Sequence, residues 1–267
     1  MDSLQVAAIQ MVSSTHPQEN VRTMEKLVRE AAAGGAQWVL LPEYWPLMGK
    51  QETDKLAFAE ELDNGPFQVA LSNLARELDI VLFGGTIPLQ SPQADKVLNT
   101  MLVYGRNGDR LGAYDKMHLF GFTGLGERYA EADTIFAGAE VPKLNIDGVG
   151  VGQGVCYDLR FPEFFRAQQP FDVLLLPAAF TYTTGLAHWE LLLRARAVEN
   201  QCYVVASAQG GKHESGRRTF GHSMIIDPWG DVLAVLPEGE GVVSAQLSGE
   251  RLASLRAKMP ALQHRLL

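Results

Sequence analysis

The chain is poor in cysteine. Cys156 and Cys202 are the only two, so at most one internal bridge can form and a scaffold built on disulfides is excluded. It also lacks an excess of positive charge: 23 Lys and Arg stand against 31 Asp and Glu, the basic residues are scattered, and a nucleic-acid partner is not expected. No run of about 18 apolar residues appears, so no membrane-spanning helix and no membrane partner are expected. Met1-Asp2-Ser3-Leu4 has neither the basic n-region nor the long apolar core of a secretory signal, and a cytoplasmic location is the expectation. None of the 6 histidines stands in an H-E-x-x-H or similar ligand spacing, and the glycines offer no G-x-G-x-x-G register. Neither a metal nor another cofactor is therefore expected. No linker rich in Pro, Ser or Gly divides the 267 residues, which favours a single domain, 1–267.

What is present is an alternation of short apolar runs with helical periodicity, the pattern of an α/β layer architecture. Leu4 to Gln10, Trp38 to Leu41 and Ile80 to Phe83 read as strands. Val21 to Ala33, stopping at Gly34-Gly35, and Phe67 to Leu78 read as helices. The theme returns in the second half. The run from Trp38 to Glu43 matches Asp172 to Ala178, Ile80 to Gly85 matches Tyr203 to Ala208, and each half continues into a hairpin. The first hairpin turns at Asn107-Gly108, a strong short-range signal, and the second at Pro228-Trp229-Gly230. The recurrence predicts two related sheets packed face to face, with helices outside.

Cys156 ends an apolar strand in which Gly148, Gly150, Gly152 and Gly154 alternate with Val149, Val151, Gln153 and Val155. Strand alternation puts the thiol on the glycine face, where bare backbone leaves room for close sheet packing or for space beneath the sulfur. The turn that follows, Tyr157-Asp158-Leu159-Arg160-Phe161-Pro162-Glu163, predicts a helix start whose N–H groups favour a thiolate. A thiol that cleaves an amide or ester needs a base and an oxyanion stabiliser. Glu43, after Leu41-Pro42, and Lys116, after Tyr114-Asp115, also sit where apolar strands have just ended, the usual place for a site in α/β sheets. Singly, each has a dull reading as a turn cap, a surface lysine or a buried small hydrophobe; three complementary types at strand ends are harder to dismiss.

These residues resemble the nitrilase superfamily of carbon-nitrogen hydrolases over nearly the whole chain. Leu41-Pro42-Glu43, Asp115-Lys116-Met117-His118-Leu119-Phe120 and Gly154-Val155-Cys156-Tyr157-Asp158 fall in the family's order. The resemblance implies a four-layer α-β-β-α sandwich, with Glu43 as general base, Lys116 as stabiliser of the tetrahedral intermediate and Cys156 as nucleophile. The backbone N–H of Tyr157 would complete the oxyanion hole. A second glutamate is expected after the Lys motif; Glu131 fits that position better than Glu127, and Gly121 departs from the Asp frequent there. Tyr-Asp after the cysteine is similar to the Nit amidases, whereas Trp-Glu is usual in nitrile hydrolases. Phe180-Thr181 and Gln209 to His213 resemble the branch that acts on deaminated glutathione rather than the omega-amidases.

Phe180, Thr181 and Thr184 are the expected wall of the acyl pocket. Arg217 and Arg218 are open between attracting a substrate carboxylate and being solvated loop charges, and Asp158 and Arg160 between substrate contact and a brace behind the thiol. His118, His188 and His222 are expected to hydrogen-bond loops, although a Cys-His dyad is a formal rival. The amphipathic segment Ser248 to Met259 reads as a helix, and the resemblance implies a homodimer in which the sheets continue into eight layers. The expected partner is a small-molecule amide. Against an amidase of deaminated glutathione stand an omega-amidase and, in another class, a non-catalytic scaffold on a hydrolase fold.

Overall fold

A computed structural model describes residues 2–124 and 127–266. The first half supplies β1 (Ser3–Gln10), helix α1 (Pro17–Ala33), β2 (Trp38–Leu40), helix α2 (Pro66–Leu78), β3 (Val81–Phe83), β4 (Ile87–Gln90), β5 (Val97–Tyr104) and β6 (Arg110–Asp115). A small hairpin follows, β7 (Gly121–Gly124) with β8 (Glu127–Ala130). The second half holds β9 (Leu144–Ile146), β10 (Val149–Gln153), helix α3 (Pro162–Gln168), β11 (Val173–Ala178), helix α4 (Tyr182–Asn200) and β12 (Tyr203–Ala208). It ends with β13 (Gly210–Lys212), β14 (Arg218–Phe220), β15 (Ser223–Ile226), β16 (Val232–Leu236), β17 (Gly241–Ser248) and helix α5 (Gly249–Lys258).

One sheet runs β17-β1-β2-β3-β5-β4 with β6 also on β5; the other runs β16-β15-β12-β11-β10-β9. The predicted doubling is visible in the pairing. β1, β2 and β3 are parallel neighbours followed by the antiparallel pair β5–β6, and β10, β11 and β12 are parallel neighbours followed by the antiparallel pair β15–β16. Period-two alternation divides the core. Val6 and Ala8 of β1 join Trp38, Leu40 and Phe83 in the cluster shared with the second sheet. Ala7 and Ile9, pointing the other way, pack with Val39 and Leu82 against α1 and α2. Each aliphatic side chain so buried contributes about 1.5–3 kcal/mol, which is why these strands tolerate almost no polar residue. α1 places Met24, Leu27, Val28 and Ala31 inward at helical spacing. α3 and α4 cover the second sheet's outer face, completing helix, sheet, sheet and helix layers.

The glycine strand is a correction. β10 stops at Gln153, and Cys156 stands beyond it at φ 48° in a 3-10 turn, so strand alternation does not carry through to the thiol. The glycine face is not empty. A Cβ on Gly152 would meet the Phe171 ring at 3.0 Å, and one on Gly154 the Phe165 ring at 2.8 Å. The glycines admit aromatic rings from α3 and the segment after it; they do not open space beneath the sulfur. The C-terminal segment does form a helix, with Ser248 as N-cap accepting from the N–H of Arg251 and with Leu252 and Leu255 buried.

Candidate active site

Glu43, Lys116 and Cys156 converge at the carboxyl ends of the strands. Glu43 follows β2, Lys116 follows β6 and Cys156 follows β10, all three buried. The Lys116 Nζ donates to Glu43 Oε1 at 2.9 Å and to both oxygens of Glu131, at 2.9 and 2.7 Å. Glu131 also accepts from the Tyr44 hydroxyl (2.9 Å) and the Phe120 N–H (2.7 Å). Glu131 is the glutamate that the described residues place on Lys116; the side chain of Glu127, the other glutamate considered, lies outside them. Glu43 receives two further bonds, from Asn99 Nδ2 at Oε1 (2.9 Å) and from the Ala179 N–H at Oε2 (2.8 Å). Every one of these partners is a donor, the pattern that an ionised carboxylate requires.

The cavity at the thiol is lined by Tyr157, Arg160, Phe180, Thr181 and Thr184 together with Phe120 and Glu131. Phe180, Thr181 and Thr184 thus all line the cavity that contains Cys156. Thr181 caps α4, accepting from the Thr184 N–H, and its hydroxyl also shares a hydrogen bond with the Thr184 hydroxyl at 2.7 Å. Arg160 faces aromatic and imidazole groups, the rings of Phe180 (5.2 Å) and Tyr157 (5.9 Å) and the Nδ1 of His188 (3.2 Å), none of them an acid. Asp158 is the brace. Buried behind the turn, it accepts from the Tyr114 hydroxyl (2.7 Å), the Val155 N–H (2.8 Å) and the His118 N–H (3.1 Å), and it pairs with His118 Nδ1 (2.7 Å). His118 stacks on Phe161 and His222 on Phe220, so both have structural work. A larger hollow of about 610 Å³ between β6 and the 136–144 segment includes none of the three central residues.

Asn99, Tyr44 and the Ala179 N–H escaped the sequence reading. A signal existed for one of them: Asn99 is an amide inside the largely apolar strand β5, and buried polar groups mostly have hydrogen-bond partners, as its Nδ2 has in Glu43.

The profile of the Carbon-nitrogen hydrolase family matches residues 5–257. A protein of Synechocystis sp. strain PCC 6803 named deaminated glutathione amidase is 41% identical over 97% of each chain. The chain belongs to the carbon-nitrogen hydrolase family. It is also 36% identical to omega-amidase NIT2 of Homo sapiens, over 99% of this chain and 96% of that one. Among solved structures, Saccharomyces cerevisiae Nit3, a member of branch 10 of the nitrilase superfamily, superposes with a TM-score of 0.89 at 30% identity, over 100% of this chain and 97% of that one.

Electrostatics give this carbon-nitrogen hydrolase a resting state different from the one the turn alone predicts. Burial pushes the Cys156 thiol well above its ordinary range, and the Glu43 charge pushes it further than Lys116 pulls it back. The sulfur therefore rests as a thiol. The N–H groups of a five-residue turn do not overcome a fully buried site that holds two carboxylates. Burial also raises Glu43, helped by Glu131 and opposed by Lys116 and the thiol. For Lys116, burial acts to lower its value, but Glu131 and Glu43 outweigh it and hold the ammonium charged. A protonated thiol, an ionised carboxylate whose affinity for a proton burial increases, and a locked cation form a set that can pass a proton without leaving the cavity.

Proposed function

We propose that this hydrolase is a thiol amidase. Cys156 Sγ attacks the amide carbonyl carbon as Glu43 takes the thiol proton; the C=O pair moves to oxygen, and that oxyanion is met by the Lys116 charge and the Tyr157 N–H. Lys116 already spends its three N–H bonds on carboxylate oxygens, so an oxyanion replaces one of the two bonds to Glu131. The tetrahedral adduct collapses, the C–N bond breaks, and Glu43 returns its proton to the leaving amine. Water, deprotonated by Glu43, then hydrolyses the thioester and restores the thiol. The buried contact of Glu43 with Lys116, in the same enclosure as Cys156, is the observation that carries this reading. It argues against a bare scaffold, which has no reason to bury a carboxylate and a lysine beside a thiol.

We propose deaminated glutathione as the substrate, cleaved to 2-oxoglutarate and cysteinylglycine. The name of the Synechocystis relative supports it. So does Arg160, a cation that lines the thiol cavity and pairs with no acid among the described residues, suited to the α-keto carboxylate at the acyl end. The omega-amidase relative keeps 2-oxoglutaramate as the second reading, since it carries the same acyl group. A panel of keto-acid amides decides between them by kcat/KM. With Cys156→Ala, turnover should vanish; full turnover by that variant would refute the nucleophile. The proposal extends to residues 1–267 as one catalytic unit in an eight-layer homodimer, supported by outward apolar side chains at Leu186, Leu191 and Trp229. Sedimentation equilibrium of the purified protein tests the dimer. Both cysteines are free thiols, which supports a reducing, cytoplasmic setting. Among the described residues no helix is long and apolar enough to cross a membrane.

A further inference from the structure

We propose that Arg217 forms a second anion subsite, on the leaving-group side of Cys156, which receives the terminal carboxylate of a peptide-like leaving group. This rests on the amidase reading and goes beyond it, because an omega-amide releases only ammonia and has nothing to place there.

The cavity that holds Arg217 adjoins the thiol cavity, and the two share Phe120, Glu131, Ala179 and Thr181 as walls. The two adjoining cavities therefore present Arg160 beside the thiol and, across the shared wall, Arg217 and Arg218. Deaminated glutathione carries two carboxylates, one on each side of the scissile bond. Its cysteinylglycine portion spans two residues, which at about 3.3–3.6 Å each carries the glycine carboxylate roughly 7 Å beyond the scissile bond.

The local bonding suits an exchangeable cation. One amino group of Arg217 donates to Glu52 Oε1, while the other has the thioether sulfur of Met48 at 3.7 Å, a weak acceptor that a carboxylate oxygen would readily replace. Glu52 is not stranded if Arg217 turns away, because its second oxygen is held by Lys55 at 2.8 Å. Arg217 is half-buried and its guanidinium lies 6.0 Å from the Tyr129 ring, so the arm rests on an aromatic surface at the cavity wall. Arg218 is a poorer candidate. It lies flat on the Tyr182 ring at 3.6 Å and pairs with Glu238 in solvent.

The test combines variants with substrate analogues. For wild type, Arg217→Met and Arg217→Lys, kcat/KM is measured on deaminated glutathione, on the analogue whose glycine carboxylate is a carboxamide, and on 2-oxoglutaramate. A charge-assisted bond at a half-exposed site predicts about a tenfold loss for Arg217→Met on the acid, mainly in KM. Wild type should lose a similar factor on moving from acid to carboxamide, and Arg217→Met should lose nothing more on that move. Arg217→Lys should recover part of the loss on the acid. Equal losses on all three substrates would reveal a structural role through Glu52 and Met48 and overturn the subsite while leaving the amidase reading intact. A wild type active on 2-oxoglutaramate and inert on deaminated glutathione would overturn the substrate reading, and the subsite with it.

Discussion

Replacing Glu43 by glutamine preserves the volume of the side chain and removes one charge and one acceptor. Three N–H donors converge on the carboxylate, from Lys116 and Asn99 at one oxygen and from Ala179 at the other. A carboxamide has a single oxygen. Turned toward Lys116 and Asn99, it sets its NH2 against the Ala179 N–H, and turned the other way it strands Lys116 and Asn99; even the better choice makes two donors face each other, at about 1–3 kcal/mol for each left unpaired. The lost charge adds to this. At 2.9 Å and an effective dielectric of about 20, the Lys116–Glu43 attraction is about 6 kcal/mol, much of which offsets the burial of the two ions. The folded variant then depends on Glu131 alone to keep Lys116 charged.

The kinetic consequences have opposite signs, which makes the test sharp. Amidase turnover loses its general base and should fall by about 10²–10⁴-fold in kcat. The thiol, which burial and the Glu43 charge raise, is relieved of the second influence while Lys116 remains, so its value falls and iodoacetamide should alkylate Cys156 faster at pH 8 than in the wild type. The pH profile follows the same logic. Glu43 must be ionised to act, its value is raised, and wild-type kcat/KM should be lost as pH falls through a limb above the usual 4.5 of a glutamate. The Gln variant should lack that limb. Slower alkylation accompanied by unchanged turnover would refute the assignment of Glu43 as the group that both raises and deprotonates the thiol.

Three further outcomes are expected. Lys116→Met leaves the buried Glu43 and the part-buried Glu131 without their cation and should cost about 3–5 kcal/mol, read as a lower urea midpoint; an unchanged midpoint would mean that the cluster is already neutral. Asp158→Asn offers one oxygen to a set of donors that includes the Tyr114 hydroxyl and the Val155 N–H, so the turn carrying Cys156 should loosen, with kcat/KM falling roughly tenfold or more for about 1–3 kcal/mol of stability. Gly154→Ala would drive a methyl to 2.8 Å from the Phe165 ring and should cost about 1–3 kcal/mol, lowering Tm by about 2–4 °C per kcal/mol in calorimetry; a wild-type Tm would show that α3 shifts freely.

The parts of the site legible in the sequence are those for which position along a strand decides chemistry. Trp38 to Leu41 is an apolar run that ends on Pro42-Glu43, so a charged side chain there stands at the strand-end crevice; Lys116 follows β6, a mostly exposed strand, and only its position at a strand end marks it. What stayed hidden depends on contacts between distant segments. The Ala179 N–H meets a side chain 136 positions away, and no local pattern marks one backbone N–H above its neighbours. The glycine strand misled for a related reason. Alternation told correctly that one face was bare, but whether bare backbone admits a substrate, a sheet or a phenyl ring is settled by Phe165 and Phe171, which lie beyond the strand. The same limit applies to the thiol's ionisation: the short turn favours a thiolate, whereas burial and Glu43, from a distant segment, raise its value. Local sequence thus proposes which groups can react, and long-range packing sets the protonation state from which they start.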